Sequence, residues 1–396
     1  MRPKLLFISA CAGMLVFGIV VAILGTVFGM PEMRVRLHAS LAQQGDMFFL
    51  LYLGIFISSL AVGPLIDHIG NKYNLVASSV LVMIAMVWFA LAGSVASASA
   101  AAILLGFGGG GLNTCANVLV SDLYVEKRGA MLNLLGVFFG VGAMCIPLLA
   151  ASIEGRFSIS ELFLMCASLS GTCTVAYALV SFPPPRATHA FSWRGTLRVA
   201  KYPGLLLLAF ILFFEAGNEA CIGGWVSTYG NGAGFSPRVA TLVLAGYWAA
   251  LMLVRMVAGT VLRVIGKAQL VLICAVLSLA GCAILLSAHS LVTLSAGAVL
   301  IGASFAPIFP TTLAIAGDRY ASAAGTVFGL LFSIALSGGM VLPWGVGQVS
   351  QRFGVRSGMV IPLLGAVGIS VLSAIALAGE RSLATANAKA VTPVQK

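Results

Sequence analysis

Residues 5–30 read LLFISACAGMLVFGIVVAILGTVFGM and contain no charged side chain. An α-helix rises about 1.5 Å per residue, so about 20 apolar residues cross the roughly 30 Å hydrocarbon core of a bilayer. Similar runs follow one another along the chain of 396 residues, of which 60% are hydrophobic and 8% are charged. A water-soluble domain has about 25% charged residues. The composition therefore argues against a soluble enzyme and predicts an all-α integral membrane protein.

Twelve apolar runs are predicted to be membrane spans. They are residues 5–30, 45–66, 73–94, 97–122, 129–152, 160–182, 203–228, 238–262, 268–288, 291–316, 323–348 and 357–379. The long polar stretch between the sixth and seventh spans begins with three prolines and continues with Arg186, Arg194, Arg198 and Lys201. We therefore predict four segments: an N-terminal six-helix bundle (1–182), a cytoplasmic linker (183–202), a C-terminal six-helix bundle (203–380) and a cytoplasmic tail (381–396). The tail is expected to be irregular.

The lysines and arginines predict the orientation, because cytoplasmic loops carry an excess of them. With the N-terminus inside, sixteen of the 22 lie on the cytoplasmic side and six lie outside. We expect a multi-pass protein of the inner (plasma) membrane, surrounded by lipid, with both termini in the cytoplasm. The net charge of +11 then reflects orientation rather than binding to nucleic acid. A monomer is expected.

The two halves of the chain repeat at an offset of 196 residues. The pairs include Asp122 with Asp318, Gly129 with Gly325, Gly142 with Gly338 and Pro147 with Pro343. A duplication of this kind predicts two pseudo-symmetric bundles, related by an axis along the membrane normal. The substrate site is expected at their interface, near the middle of the membrane.

The loop after the second span reads GPLIDHIGNKY, residues 63–73. It resembles the G-x-x-x-D-x-x-G-[RK]-[RK] loop of the major facilitator superfamily, with Asn71 at the first basic position. The resemblance implies a transporter with alternating access, and it implies gating roles for Gly63, Asp67, Gly70 and Lys72. The second copy, Gly259 to Lys267, has Arg263 in place of the aspartate. Arg255, just before this copy, is predicted to be a cation on the gate side.

Spans four, five and seven resemble the branch of this superfamily that contains fucose:proton symporters and sodium-dependent glucose transporters. The matching pieces are Asn117-Val-Leu-Val, Leu132-Asn133, Gly140-Val-Gly-Ala with Pro147, and Gly217-x-Glu219 with Gly224-Trp225. The resemblance implies a small polar solute, in particular a monosaccharide, coupled to H⁺ or Na⁺. Members of this branch carry acidic residues in the first and fourth spans. Here the first span has no acid, and the fourth has Asn113 and Asn117 instead.

Glu215 and Glu219 are the two acidic residues that lie deep in a span. They are four residues apart and so share one helix face. A charge at membrane depth costs at least about 2.5–3.5 kcal/mol and usually has a task. We predict that Glu219 is the ion-coupling carboxylate and Glu215 its modulator, whether the ion is a proton or Na⁺. The alternative is that each glutamate bonds a hydroxyl or an amide inside the bundle. At the offset of 196 their counterparts are Ile19 and Ile23, so only one half carries these acids.

Carboxamides offer donors and acceptors that suit the hydroxyl groups of a sugar, and aromatic rings can form a platform for its ring. The predicted substrate-binding residues are Asn113, Asn117, Asn133, Asn218, Trp225, Tyr247, Trp248 and Trp344. The alternative for the asparagines is hydrogen bonding between helices. The alternative for the aromatic residues is contact with lipid or with the membrane interface.

Two other functions compete with uptake of a sugar. The first is proton-coupled export of drugs or metabolites. The second is a membrane receptor or enzyme, but the four histidines are scattered near span ends without HExxH spacing. No catalytic residue, metal site or cofactor is therefore predicted, apart from the coupling ion.

Overall fold

A computed structural model describes residues 3–185, 202–262, 264–320 and 324–391. The helices in these ranges are α1 (Pro3–Phe28), α2 (Pro31–Leu37), α3 (Leu41–Leu91), α4 (Val95–Leu123), α5 (Arg128–Ile153), α6 (Ile159–Leu179), α7 (Pro203–Gly232), α8 (Pro237–Val261), α9 (Lys267–Leu286), α10 (Leu291–Arg319), α11 (Ala324–Phe353), α12 (Val355–Gly358) and α13 (Val360–Val391). We refer to α1–α6 as the N-terminal bundle and to α7–α13 as the C-terminal bundle.

Eleven helices of the described ranges are long and apolar enough to cross a membrane. One of them, α3, has 51 residues and contains a break at Gly70, where φ is +84°. Glycine adopts this backbone conformation without the steric cost that a side chain brings. The helix α3 therefore crosses twice, and the twelve predicted spans are confirmed.

The structure describes only part of the predicted linker and of the predicted tail. Most of the predicted linker, residues 186–201, and Arg263 of the second loop copy lie outside the described residues. The tail was expected to be irregular, but α13 continues to Val391. Its alanine-rich sequence explains the difference, because alanine has the highest helix propensity. Residues 392–396 of the tail lie outside the described residues.

The internal repeat is visible in the helix ends. Ser94 caps α4 and Ser290 caps α10, and each accepts a hydrogen bond from the backbone N–H three residues further on. The two serines are 196 residues apart. Gly106 of α4 packs on the carbonyl oxygen of Leu51, and Gly302 of α10 packs on that of Tyr247, so the partners repeat at 196 as well. A Cβ atom at either glycine would lie 1.9–2.3 Å from that oxygen.

The first span departs from this offset. Gly142 packs on the carbonyl oxygen of Leu15, whereas its counterpart Gly338 packs on that of Phe213. The offset between Leu15 and Phe213 is 198, two residues more than elsewhere. The spatial counterparts of Glu215 and Glu219 are thus Phe17 and Val21, not Ile19 and Ile23. These residues are apolar too, so the asymmetry of charge between the bundles stands.

The two bundles meet in a way that closes one end of the molecule. We call the end where α1 begins the near end and the end where it finishes the far end. At the far end, Asn231 of α7 donates a hydrogen bond to the carbonyl oxygen of Gly29. The backbone N–H of Leu41 donates to Gln351 of α11 over 3.0 Å. Gly45 of α3 faces Gly347 of α11 without space for a side chain. The far end is therefore closed in this conformation.

The short helix α2 binds the end of α3 and the start of α6 at the far end of the N-terminal bundle. Arg36 donates hydrogen bonds to the carbonyl oxygen of Phe89 over 2.9 Å and to Oγ of Ser160 over 2.7 Å. Both carboxylate oxygens of Glu32 accept from the backbone N–H of Ile159, over 3.1 and 2.9 Å. Ile159 begins α6, and a negative charge stabilises a helix N-terminus.

Replacing Arg36 by alanine should destabilise the folded protein. Charge-assisted hydrogen bonds contribute about 1.5–3 kcal/mol each, and the substitution removes them. We expect a lower apparent melting temperature of the purified protein in detergent. The matched control is Arg156→Ala, because Arg156 is also at this end but is exposed. Equal melting temperatures for the two variants would show that α2 is not a fastening element.

Candidate functional site

The middle of the molecule contains an ion pair between the first two helices of the C-terminal bundle. One Nη atom of Arg255 on α8 lies 3.8 Å from a carboxylate oxygen of Glu219 on α7. The side chains of Arg255 and Glu219 are 15% and 20% exposed. Both charged side chains therefore keep some exposed surface, although they lie between the helices of the bundle.

The carbonyl oxygen of Ala306 on α10 fixes the position of Arg255. In an α-helix this oxygen accepts from the backbone N–H four residues later. That residue is Pro310, which has no N–H group. Nε of Arg255 donates to the free carbonyl oxygen over 3.4 Å. The proline thus creates the acceptor that holds the arginine beside Glu219.

Glu215 lies one helical turn from Glu219 and is completely buried. Neither of its carboxylate oxygens has a hydrogen-bond partner among the described residues. Tyr52 on α3 and Tyr247 on α8 interact electrostatically with both glutamates. The hydroxyl group of Tyr247 also donates to the backbone oxygen of Glu219 over 3.5 Å. Both bundles therefore contribute to the surroundings of the two acids.

Aromatic rings line the contact between the bundles. The ring of Trp248 lies 4.9 Å from that of Tyr247 and 5.9 Å from that of Phe139 on α5. Trp225 packs 5.6 Å from Phe48 on α3, and its Nε1 donates to the carbonyl oxygen of Pro343. Tyr247, Trp248 and Trp225 are all buried. Their contact with a substrate stays a prediction.

The predicted asparagines do not form one group. Nδ2 of Asn117 donates to Oδ1 of Asn113 over 2.8 Å, so these two form a pair on α4 and are partly exposed. Asn133 on α5 is exposed. Asn218 is buried and donates to the carbonyl oxygen of Pro362 on α13 over 2.9 Å, which is a bond between helices. The contact of Asn113 and Asn117 with a solute stays a prediction.

Trp344 lies at the closed far end, away from Glu215 and Glu219. Its Nε1 donates to Asp46 of α3 over 3.0 Å, and Gln348 donates to the same carboxylate over 3.2 Å. Asp46 was not singled out in the sequence, although an acid in the first turns of a predicted span is a signal for such a contact. Tyr52 was missed as well, and a lone tyrosine in a span gives no comparable signal.

The loop motif lies in the N-terminal bundle, away from the ion pair. Asp67, Gly63 and Gly70 line a cavity of about 280 Å³ together with Asp122. Asp67 and Lys72 are both partly buried. Their gating roles stay predictions. Arg255, which we had predicted to act at the gate, is placed beside Glu219 instead, and a gating role for it stays untested.

Comparison with protein families agrees with this architecture. The model of the Major Facilitator Superfamily matches residues 6–343. Protein TsgA of Salmonella arizonae is 27% identical over 256 residues, which cover 63% of this chain and 64% of TsgA. The TsgA homolog of Buchnera aphidicola is 29% identical over 135 residues, 34% of each protein. The chain thus spans less than two thirds of the length of these relatives.

Several solved transporters share the fold. The nucleoside transporter NupG superposes with a TM-score of 0.76 at 14% identity, over 94% of this chain and 99% of that one. A D-xylose–proton symporter gives 0.77 at 14% identity, over 93% and 97%. The fucose:proton symporter FucP of E. coli gives 0.65 at 18% identity, over 93% and 98%. The chain belongs to the major facilitator superfamily.

Proposed function

We propose that this protein is a secondary active transporter that couples the movement of a small solute with a sugar ring, a monosaccharide or a nucleoside, to a cation. The observation that carries the proposal is the partly exposed ion pair of Glu219 and Arg255, with the completely buried Glu215 one helical turn away. Charged groups at membrane depth are costly. Two ionised carboxyl groups beside one guanidinium have a net charge of minus one. A coupling cation can neutralise this charge.

Two further groups of residues support a polyhydroxylated solute. Asn113 and Asn117 carry amide donors and acceptors on α4, and the ring of Tyr247, whose hydroxyl group donates to the backbone oxygen of Glu219, packs on Trp248. The names of the structural neighbours support this substrate class, since they are transporters of fucose, D-xylose and nucleosides. Two of the three are named as proton symporters.

The basic residues support a cytoplasmic location for the near end. With that placement, the contacts at the far end close the protein to the outside, and we infer that a cavity leads from the ion pair to the cytoplasm. Alternating access then requires the contacts at the far end to part. The proposed boundaries of the two bundles, 1–182 and 203–380, allow each to move as one unit.

The test is uptake into proteoliposomes loaded at a defined internal pH. Radiolabelled L-fucose, D-xylose and uridine are offered with an inward H⁺ gradient, with an inward Na⁺ gradient and with neither. A cationic drug is offered with an opposite gradient to test export. We expect accumulation of a sugar or a nucleoside that collapses when a protonophore or an ionophore dissipates the gradient.

The double variant Asn113→Ala/Asn117→Ala is a specific check of the substrate site. Removing both amides should raise the KM for the transported solute, because their hydrogen bonds to hydroxyl groups are lost. The matched control is Asn133→Ala, because Asn133 is exposed on the neighbouring helix. Gradient-driven efflux of the drug, with no uptake of the three solutes, would contradict the proposed substrate class and direction.

A further inference from the structure

Glu215 differs from every other acid in the described chain by its complete burial. Its exposed fraction is 0%, and both of its carboxylate oxygens lack a hydrogen-bond partner there. Glu219, one turn further along α7, is 20% exposed and has Arg255 as a counter-ion. Two acids on one helix face thus have opposite surroundings.

The charged groups that act on Glu215 are Glu219 on its own helix and Arg255 on α8. Tyr52 and Tyr247 are the phenols that interact with it. Where the structure describes their side chains, the other helices that pack on α7 carry charged residues near the ends of the predicted spans. These are Lys4 on α1, Asp318 and Arg319 on α10, Arg352 on α11, Arg356 on α12 and Glu380 on α13. Arg255 is therefore the cation that can compensate an acid here.

One guanidinium cannot compensate two carboxylates. Arg255 lies beside Glu219, so an ionised Glu215 leaves a buried negative charge with neither a donor nor a counter-ion. Such a charge costs several kcal/mol. A proton removes this charge without requiring further ligands.

We propose that Glu215, and not Glu219, carries the coupling proton in this conformation, while Glu219 stays charged and paired with Arg255. This inference rests on the proposed function and names its coupling ion. It also reverses the roles that the sequence predicts for the two glutamates. The carboxylate of Glu215 takes one proton from water when the far end is open and returns it to water through the near-end cavity.

The position of Arg255 links the proton to the substrate site. The distance of 3.8 Å to Glu219 is longer than a hydrogen bond, and the guanidinium also acts electrostatically on Glu215. Loss of the proton creates a carboxylate at Glu215 that competes with Glu219 for the arginine. Glu219 is then released to the cavity, where the solute binds.

Infrared spectroscopy of the purified protein in lipid at pH 7 tests the proposal without any solute. A protonated carboxylic acid has a C=O stretch band that is separate from the bands of amides and carboxylates and that shifts in D₂O. We expect this band in the wild type, its loss in Glu215→Gln, and its presence in the matched control Glu219→Gln. If Glu215→Gln does not fold, Glu215→Asp should keep the band at a shifted frequency.

Transport gives a second readout. Glu215→Gln should keep exchange of L-fucose, D-xylose or uridine across the membrane and lose their uphill accumulation under an H⁺ gradient. A wild type without the band, or a band that persists in Glu215→Gln and disappears in Glu219→Gln, would overturn the proposal. Full H⁺-driven accumulation by Glu215→Gln would also overturn it and leave the proposed function intact. The proposed function fails separately, if the wild type accumulates none of the three solutes under any gradient.

Discussion

The variant Arg255→Gln should lose transport by about 100-fold or more. Removing one partner of a buried ion pair costs about 3–5 kcal/mol, because the other charge is left uncompensated, and each 1.4 kcal/mol is a factor of ten. Here the uncompensated charge is Glu219, whose side chain is 20% exposed. The measurement is the initial rate of gradient-driven uptake in proteoliposomes. Arg156→Gln, an exposed arginine at the far end, is the matched control and should transport like the wild type.

A double variant separates loss of charge balance from loss of function. Arg255→Gln/Glu219→Gln contains neither member of the ion pair, so no uncompensated carboxylate remains at position 219. We expect its melting temperature to exceed that of Arg255→Gln, although transport stays low. Wild-type uptake by Arg255→Gln would show that the pair has no role in transport. A double variant less stable than the single one would show that the two side chains do not compensate each other.

The sequence predicts the architecture well, because local signals repeat. Asp122 and Asp318 lie in the last turns of equivalent helices, and Gly70 breaks α3 within the predicted loop. Apolar runs of the length of a bilayer specify the spans between these signals. The family also follows from the loop motif, since its glycines and aspartate stand at fixed spacing.

The site is less predictable, because its contacts join residues that are distant along the chain. Arg255 meets Glu219 across two helices, and it is anchored by Ala306, whose oxygen is free only because of Pro310. Its position near a loop motif suggested a gate instead. Burial separates Glu215 from Glu219, although both lie on one face of α7. The closed far end is a property of one conformation, and no single residue type specifies it.

The variant Gly45→Leu should hold the far end open and abolish transport. A Cβ atom at position 45 lies 2.9 Å from the carbonyl oxygen of Trp344 and 3.1 Å from Cα of Gly347. Both neighbours belong to α11, in the other bundle, so the leucine interferes with closure rather than with the folding of its own bundle. Overpacking costs about 1–3 kcal/mol. That cost shifts the equilibrium between closed and open forms by about 5- to 140-fold.

Crosslinking measures this shift directly. Nε2 of Gln348 lies 3.5 Å from the carbonyl oxygen of Ala42 across the same contact. We place the cysteines Ala42→Cys and Gln348→Cys in a background with Cys145→Ser, because Cys145 is the exposed native cysteine. A disulfide should form readily in the parent protein. It should form poorly after Gly45→Leu. The control is Gly379→Leu, since no atom lies within 4 Å of a Cβ atom at that glycine.

The reciprocal variant Gly347→Leu tests whether the effect belongs to the contact or to α3 alone. A Cβ atom at position 347 lies 2.7 Å from the carbonyl oxygen of Leu41 and 2.8 Å from Cα of Gly45. The same loss of transport and of crosslinking is therefore expected from the opposite bundle. Normal crosslinking in both leucine variants would mean that the far end closes around the added side chains. In that case the glycines would not be what allows the transporter to alternate between its two conformations.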